Sequence, residues 1–462
     1  MRRPDPVRRP HRYIRRHRRA AMTDPTSRKP TGNRTIVALG RWQLGFLAAA
    51  VFVVSAGYGA LMPVLPAWLL PLMVADGKAE VARHVGLLSG AYAAGVLVGA
   101  PLWGVVSDRV GRRRILLIGL VGYVLSLLPL LWPEWTGLAG IYALRVATGF
   151  FVAAVVPVVP ALVAEYTPED QRARRFAWLG AMSLLGFLFG PGLNAVAGRL
   201  SSALTDAGTG SYAATDLVIL LAALLGGLMM LGLAASLPSG LAPTLDVEQA
   251  GGETDDKRRA ITLWLLNGVI MFVLAGFELG IVLQGQQHPT LSSREISLMF
   301  AECSLVMLII NAMLFFTGLL ERAAGRGVLA AGLALAIAGL AMLAQHRSDT
   351  WMYVGVSLTA AGTGLVLPTI SFLAAGASRH RLGATMGGLA SAAGFGQTIG
   401  SAAAGWLFGA FAQMSFAWLA LPLLTTLALL LVRPAWWSAL GTTPAPLKLS
   451  IHSRPSGPSQ EP

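Results

Sequence analysis

From about residue 43 onward the chain alternates long apolar stretches with short polar breaks. The apolar stretches fall at about 43–69, 86–107, 115–133, 137–163, 175–199, 216–237, 261–284, 294–319, 327–345, 351–374, 383–408 and 412–433. A helix of about 20 residues crosses the hydrocarbon core of a bilayer. The pattern therefore predicts an all-α integral membrane protein with twelve transmembrane helices. Gly and Pro inside the stretches fit this reading, because neighbouring helices and local adjustments satisfy the freed backbone groups. Small residues at helical spacing, Gly186/Gly190 and Gly396/Gly400, suit close helix–helix contact.

Composition agrees and excludes other classes. Of 462 residues, 55% are hydrophobic and 13% charged. A soluble domain carries about 25% charged residues, so neither a soluble globular protein nor a disordered one fits. The single cysteine, Cys303, rules out an intramolecular disulfide and a Cys-based metal cluster. There is no GxxxxGK[ST] loop, no HExxH pair and no Ser/His/Asp or Cys/His constellation. No enzymatic activity, cofactor or metal is expected, and ATP is not expected as the direct energy source.

The net charge of +14 is unevenly placed. Residues 1–42 hold 13 Arg/Lys against Asp5 and Asp24, hence +11, which leaves +3 for the rest. This basic tail is expected to lie outside the fold. It reads either as a polybasic segment for anionic lipid or nucleic acid, or as a leader preceding a start at Met22; no nucleic-acid partner is expected. Counted over the loops, one side of the membrane carries 14 Lys/Arg and the other carries five: Lys78, Arg83, Arg199, Arg294 and Arg347. The bias places both termini in the cytoplasm.

Three features recur about half a chain apart. Asp108-Arg109 with Gly111-Arg112 is echoed by Glu321-Arg322 with Gly325-Arg326, Gly186/Gly190 by Gly396/Gly400, and Ala147-Thr148-Gly149 by Gly362-Thr363-Gly364. The shared offset implies two pseudo-symmetric six-helix bundles, 43–237 and 261–433, with a binding site between them near the midplane. Residues 238–260 read as a cytoplasmic linker, and 434–462 as a disordered tail.

The loop after the second span reads Gly104-Val-Val-Ser107-Asp108-Arg109-Val-Gly111-Arg112-Arg113-Arg114. Asp108 stands where a span leaves the membrane, where a carboxylate can face a helix N-terminus. Gly111 permits a tight turn. The segment resembles the signature loop of the major facilitator superfamily, G-x-x-x-D-R-x-G-R-[RK], at every position, and the resemblance extends over all twelve spans. It implies a secondary active transporter working by alternating access. It also implies a conformational latch at Gly104, Asp108, Arg109, Gly111, Arg112, Arg113 and Glu165, closing against the start of the eleventh span near Gly383.

Two further motifs resemble those of twelve-span drug:proton antiporters. Arg145-Val-Ala-Thr-Gly149 resembles the R-x-x-x-G motif of proton-coupled members, and Gly186-x-x-x-Gly190-Pro191-Gly192 the kinked antiporter motif, with Leu193 and Asn194 in place of its final glycines. Gly57-Tyr58-Gly59 with Pro63 and Pro66 resembles the end of the first span in that family. Some tetracycline exporters carry an acidic residue before those glycines. Val54, Ser55 and Ala56 stand there instead, which argues against a tetracycline–metal substrate. The resemblance implies proton-coupled export of a small drug-like molecule; two acids in apolar and aromatic surroundings point to an amphipathic or cationic one, and the compact chain with short loops to a bacterial cytoplasmic membrane. Import of a metabolite or sugar by symport, and a non-transporting receptor or scaffold, are the alternatives.

An ionisable residue inside a span is a functional hypothesis by default. There are three: Arg145, Glu278 and Glu302. Ser292-Ser-Arg-Glu295 reads as a capping box that starts the eighth span. Counted from the span ends at 1.5 Å per residue, all three charges lie about 9–12 Å below the outer surface. They are expected to form a cluster in which proton affinity depends on conformation. Ser55, Tyr58, Asn267, Asn311, Thr363 and Gln397 are further cavity candidates. Trp68, Trp103, Trp132, Trp135, Trp351, Trp406 and Trp418 read mostly as an interfacial belt.

Overall fold

The computed structural model describes residues 39–69, 77–167, 169–207, 213–238, 254–288, 291–317, 319, 325–345, 347–377 and 382–432. Among them there is no strand. The long helices are α1 (Arg41–Leu61), α2 (Lys78–Val110), α3 (Arg112–Leu127), α4 (Pro133–Val152), α5 (Glu169–Asp206), α6 (Ala214–Ser236), α7 (Thr254–Gln287), α8 (Ser293–Thr317), α9 (Gly325–Gln345), α10 (Asp349–Ala377), α11 (Leu382–Phe411) and α12 (Ser415–Val432). Eleven stretches are long and apolar enough to span a membrane, and the last, Gly387–Val432, runs through both α11 and α12. The twelve expected helices are thus present. The tails 1–38 and 433–462, and the linker residues 239–253, lie outside the described residues.

Several boundaries differ from those read in the sequence. α2 starts at Lys78 and α5 runs from Glu169 to Asp206; hydropathy marks the lipid-facing length, whereas backbone hydrogen bonding continues through the polar ends. α7 begins at Thr254, inside the stretch read as linker. The fourth span is broken. After α4, residues 153–157 form tight turns, and a short helix, Val158–Glu165, resumes the span. The Ala154 N–H donates to the Phe151 carbonyl at 3.0 Å and Val155 to Val152 at 2.9 Å, three residues back. Pro157 has no N–H to offer the Ala153 carbonyl, which forces this tightening. α8 does begin on the expected capping box: the Ser292 N–H donates to Glu295 Oε2 at 2.6 Å, and the Glu295 N–H to Ser292 Oγ at 3.3 Å.

Helix packing repeats after six helices. α1 packs on α5 as α7 does on α11, α2 on α4 as α8 on α10, and α3 on α6 as α9 on α12. Across the two sets, α2 meets α11 and α5 meets α8, which is the same pairing after the same shift. Glycines set the α1–α5 and α7–α11 distances. A β-carbon on Gly190 would lie 2.5 Å from the Gly59 carbonyl carbon, and one on Gly186 would strike the Phe52 carbonyl. On α11, β-carbons at Gly396 and Gly400 would strike the Gly268 and Phe272 carbonyls. The repeated GxxxG pairs therefore make equivalent backbone seams. Of the repeat that pairs Asp108-Arg109 with Glu321-Arg322, Glu321 and Arg322 lie outside the described residues.

The α2–α11 seam closes at one face of the bundle and parts at the other. Ala79, Gly86, Gly90, Leu97, Gly104 and Asp108 share one side of α2 at helical spacing. Near the face that holds Pro63, β-carbons would lie 2.8 Å from the Ala79 carbonyl at Gly409 and 2.5 Å from Gly405 Cα at Gly86. Leu97 still touches Gly394. Beyond it, towards Gly111, Pro101 is exposed and Gly104 has nothing within 4 Å. On α11, Gly387 is likewise open, and Ala390 and Ser391 are exposed. The Pro63 face is sealed further by the fully buried Met62, Leu69, Ile281 and Leu283.

The turn between α2 and α3 rests on Gly111, at φ 104 and ψ 136. Other residues are strained there by about 1–3 kcal/mol. Gly111→Ala is expected to lower the melting temperature of detergent-purified protein by several degrees, while Gly227→Ala, at an open helical position, leaves it within about a degree.

Candidate functional site

Arg145 sits deep in the bundle because α4 lies against α2 with almost no side chain between them. β-carbons on Gly149 and Gly95 would strike the Tyr92 and Val146 carbonyls. Arg145 is 2% exposed, and its guanidinium carbon lies 5.0 Å from the Tyr92 ring centre, within cation–π range. Its Nε and Nη2 are buried with no hydrogen-bond partner. Tyr58 and Tyr123 are its other electrostatic neighbours. Tyr123 is 2% exposed, and its hydroxyl lies against Gly57, where a β-carbon would overlap it.

Tyr58 joins the two sets of helices. Its ring centre lies 5.0 Å from Tyr92 and 5.3 Å from Phe187, and Phe187 stacks on Phe300 of α8 at 6.4 Å. It meets the Gln397 side chain of α11 and lies within electrostatic reach of both Arg145 and Glu278. Glu278 is partly buried on α7. Glu302, on α8, accepts a 2.5 Å hydrogen bond from the Ser357 hydroxyl of α10, and its Oε2 is buried without a partner. The Cys303 thiol is buried within reach of both glutamates.

Among the described residues no ion pair joins Arg145 to either glutamate. The Arg145 guanidinium lies over the Tyr92 ring, and Ser357 is the partner of Glu302. The other cavity candidates are held by their surroundings. Ser55 pairs with Ser183 at 2.9 Å, and Asn267 donates to the Leu389 carbonyl at 2.9 Å. Asn311 donates to the Met307 carbonyl at 2.8 Å, and Thr363 to the Thr359 carbonyl at 2.9 Å. Tyr92, Tyr123 and Ser357 were missed in the sequence. A tyrosine in mid-span, away from the interface that aromatic residues favour, was the available signal for the first two.

The loop residues gather on Arg112. It donates to Glu165 Oε1 at 2.7 Å, to Ser107 Oγ at 2.5 Å, and pairs with Asp108 Oδ1 at 2.7 Å. Arg113 donates to the Ala234 carbonyl at the end of α6, at 2.7 Å. The Asp108 side chain is 48% exposed, and Arg109 is exposed. These bonds tie α2, α3, the end of the fourth span and α6 together. Gly383 lies in α11, but the side chains around it, where the latch partner was expected, lie outside the described residues. On α5, Gly186 and Gly190 form the α1 seam. Helix continues through Pro191, and Gly192 has nothing within 4 Å. The indole N–H groups of Trp103 and Trp351 donate to the Phe150 and Met342 carbonyls at 2.8 and 2.7 Å.

The family model for the Major Facilitator Superfamily matches residues 47–322. Among curated proteins, the class E tetracycline resistance protein of Escherichia coli is 37% identical over 153 residues, 33% of this chain and 36% of that one. The quinolone resistance protein NorA of Staphylococcus aureus is 28% identical over 159 residues, 34% of this chain and 39% of its own. The matched segment thus spans about a third of each relative. Among solved structures, the human organic anion transporter MFSD10 superposes with a TM-score of 0.63 at 20% identity, covering 84% of this chain and 99% of that one. A D-xylose–proton symporter superposes with a TM-score of 0.65 at 16% identity, covering 84% and 96%.

Proposed function

This chain belongs to the major facilitator superfamily, and from that premise we propose that it exports a small organic molecule in exchange for protons by alternating access. The observation that carries the reading is the α2–α11 seam. It is closed at the Pro63 face and parted at the Gly111 face, and Arg145 and Glu302 keep buried polar atoms without a partner. A single pathway open to one side is what one state of an alternating-access cycle requires. The loop charges favour the Gly111 face as cytoplasmic. Both termini then lie in the cytoplasm of a bacterial cell, and this is the inward-facing state.

Arg145, Glu278 and Glu302 are the coupling residues in this reading. Tyr58 lies within reach of Arg145 and of Glu278. Movement of one bundle against the other changes how far Arg145 stands from the glutamates, and with it their proton affinity. The latch is carried by Arg112 with Glu165 and Asp108, released from α11 in the inward-facing state. Names of relatives that confer tetracycline and quinolone resistance favour export. Val54, Ser55 and Ala56 offer no carboxylate for a metal chelate, so a tetracycline–metal complex is not the substrate we favour. The fold is shared with a proton symporter, so import is the second reading.

The test uses the full chain in liposomes with a trapped pH dye and an imposed pH gradient. Substrate addition is expected to move protons against the direction of substrate movement. Movement of both in the same direction establishes symport, and substrate flux without protons establishes a facilitator.

A further inference from the structure

We propose that the ligand of this cavity is a zwitterion, its carboxylate held at Arg145 and its ammonium at Glu278 and Glu302. This deepens the transporter reading and rests on it. The argument begins with what the three charges lack. Arg145 is 2% exposed and has aromatic rings, not carboxylates, around it, with Nε and Nη2 unpartnered. A desolvated cation without a counter-ion is strongly destabilising. Glu302 has one donor, Ser357, and a buried unpartnered oxygen. Glu278 has no salt-bridge partner among the described residues.

A purely cationic ligand satisfies the glutamates and leaves Arg145 as it is. Protons on the glutamates do the same. An anionic ligand satisfies Arg145 alone. A single molecule bearing both charges completes both ends of the site at once. Tyr58 marks where it lies: its ring packs on Tyr92, the ring beneath the Arg145 guanidinium, and its side chain meets Gln397 and is within electrostatic reach of Glu278. The Tyr58, Tyr92 and Phe187 rings supply an apolar surface beside it, so an aromatic body on the ligand is favoured.

Three dansyl compounds of matched length separate the possibilities. Nε-dansyl-lysine carries both charges, dansylcadaverine lacks the carboxylate, and 6-(dansylamino)hexanoate lacks the amine. Binding is read as dansyl fluorescence on the full chain in nanodiscs, with empty nanodiscs subtracted. The zwitterion is expected to bind at least about tenfold more tightly than either singly charged compound. In Arg145→Met that advantage over dansylcadaverine is lost, whereas dansylcadaverine itself binds as before. In Glu278→Gln/Glu302→Gln the advantage over the hexanoate is lost.

Dansylcadaverine binding as tightly as the zwitterion in the unaltered protein overturns the proposal and leaves the transporter reading intact. So does the absence of binding by all three when proton flux in the liposome assay is normal. Absence of flux there, with the zwitterion preferred here, overturns the transport reading and leaves the ligand class standing. The unaltered protein decides between ligand classes even if Arg145→Met does not fold.

Discussion

Leucine in place of Gly86 is expected to cut transport by about a hundredfold and leave the protein folded. A β-carbon there lies 2.5 Å from Gly405 Cα and 2.8 Å from the Ser401 carbonyl oxygen. Both are backbone atoms, so no rotamer change relieves the clash. Overpacking of a tight contact costs about 1–3 kcal/mol, and 3 kcal/mol is a shift of more than a hundredfold between two states. The cost falls on the state in which the Pro63 face is closed, so the variant accumulates with that face open. Spin labels on Glu80 and Phe411 would report a longer distance than in the parent; the native Cys303 is buried and does not compete for label. Gly104→Leu is the matching control, because the same side of α2 is open there, and it is expected to favour the state described. Unchanged distances and transport in Gly86→Leu would show that this seam is not the closure that moves.

The second large effect is expected of Glu278→Gln/Glu302→Gln. Both carboxylates sit in apolar surroundings without a cationic partner, and amides of the same size keep the packing and the Ser357 contact. Loss of the titrating groups removes coupling, not the fold. Substrate-triggered proton movement in liposomes is expected to fall to background, and the facilitated exchange of substrate that remains needs a higher substrate concentration and no longer varies with pH. A double variant that still moves protons with the parent's pH profile would place coupling elsewhere and return both glutamates to structural roles.

The twelve helices were legible because bilayer thickness imposes a length and a polarity on each of them. Their ends were less so, since α2 and α5 continue as helix past the apolar stretch that marks them. The break at residues 153–157 was hidden for a similar reason. Pro157 is plain in the sequence, but the run around it stays apolar and hydropathy does not sense backbone geometry. Arg145, Glu278 and Glu302 stood out because charge inside a span is rare. Their partners did not. Tyr92 and Ser357 are ordinary residues until the approach of α2 to α4, and of α8 to α10, places them beside a charge, and that approach depends on glycines such as Gly95 and Gly149 whose contacts are tertiary.

The glycine seam between α2 and α11 has one more consequence. Where two helices meet through backbone alone, few rotamers are frozen when they touch and few are released when they part. Little apolar side chain is covered or uncovered either, so the two end states of such a joint differ little in free energy. A shallow balance of that kind is easily tipped: one proton crossing one pH unit contributes about 1.4 kcal/mol, a tenfold change in population. If transport is proton-coupled as proposed, the bareness of the joint sets how small a gradient is enough to tip it.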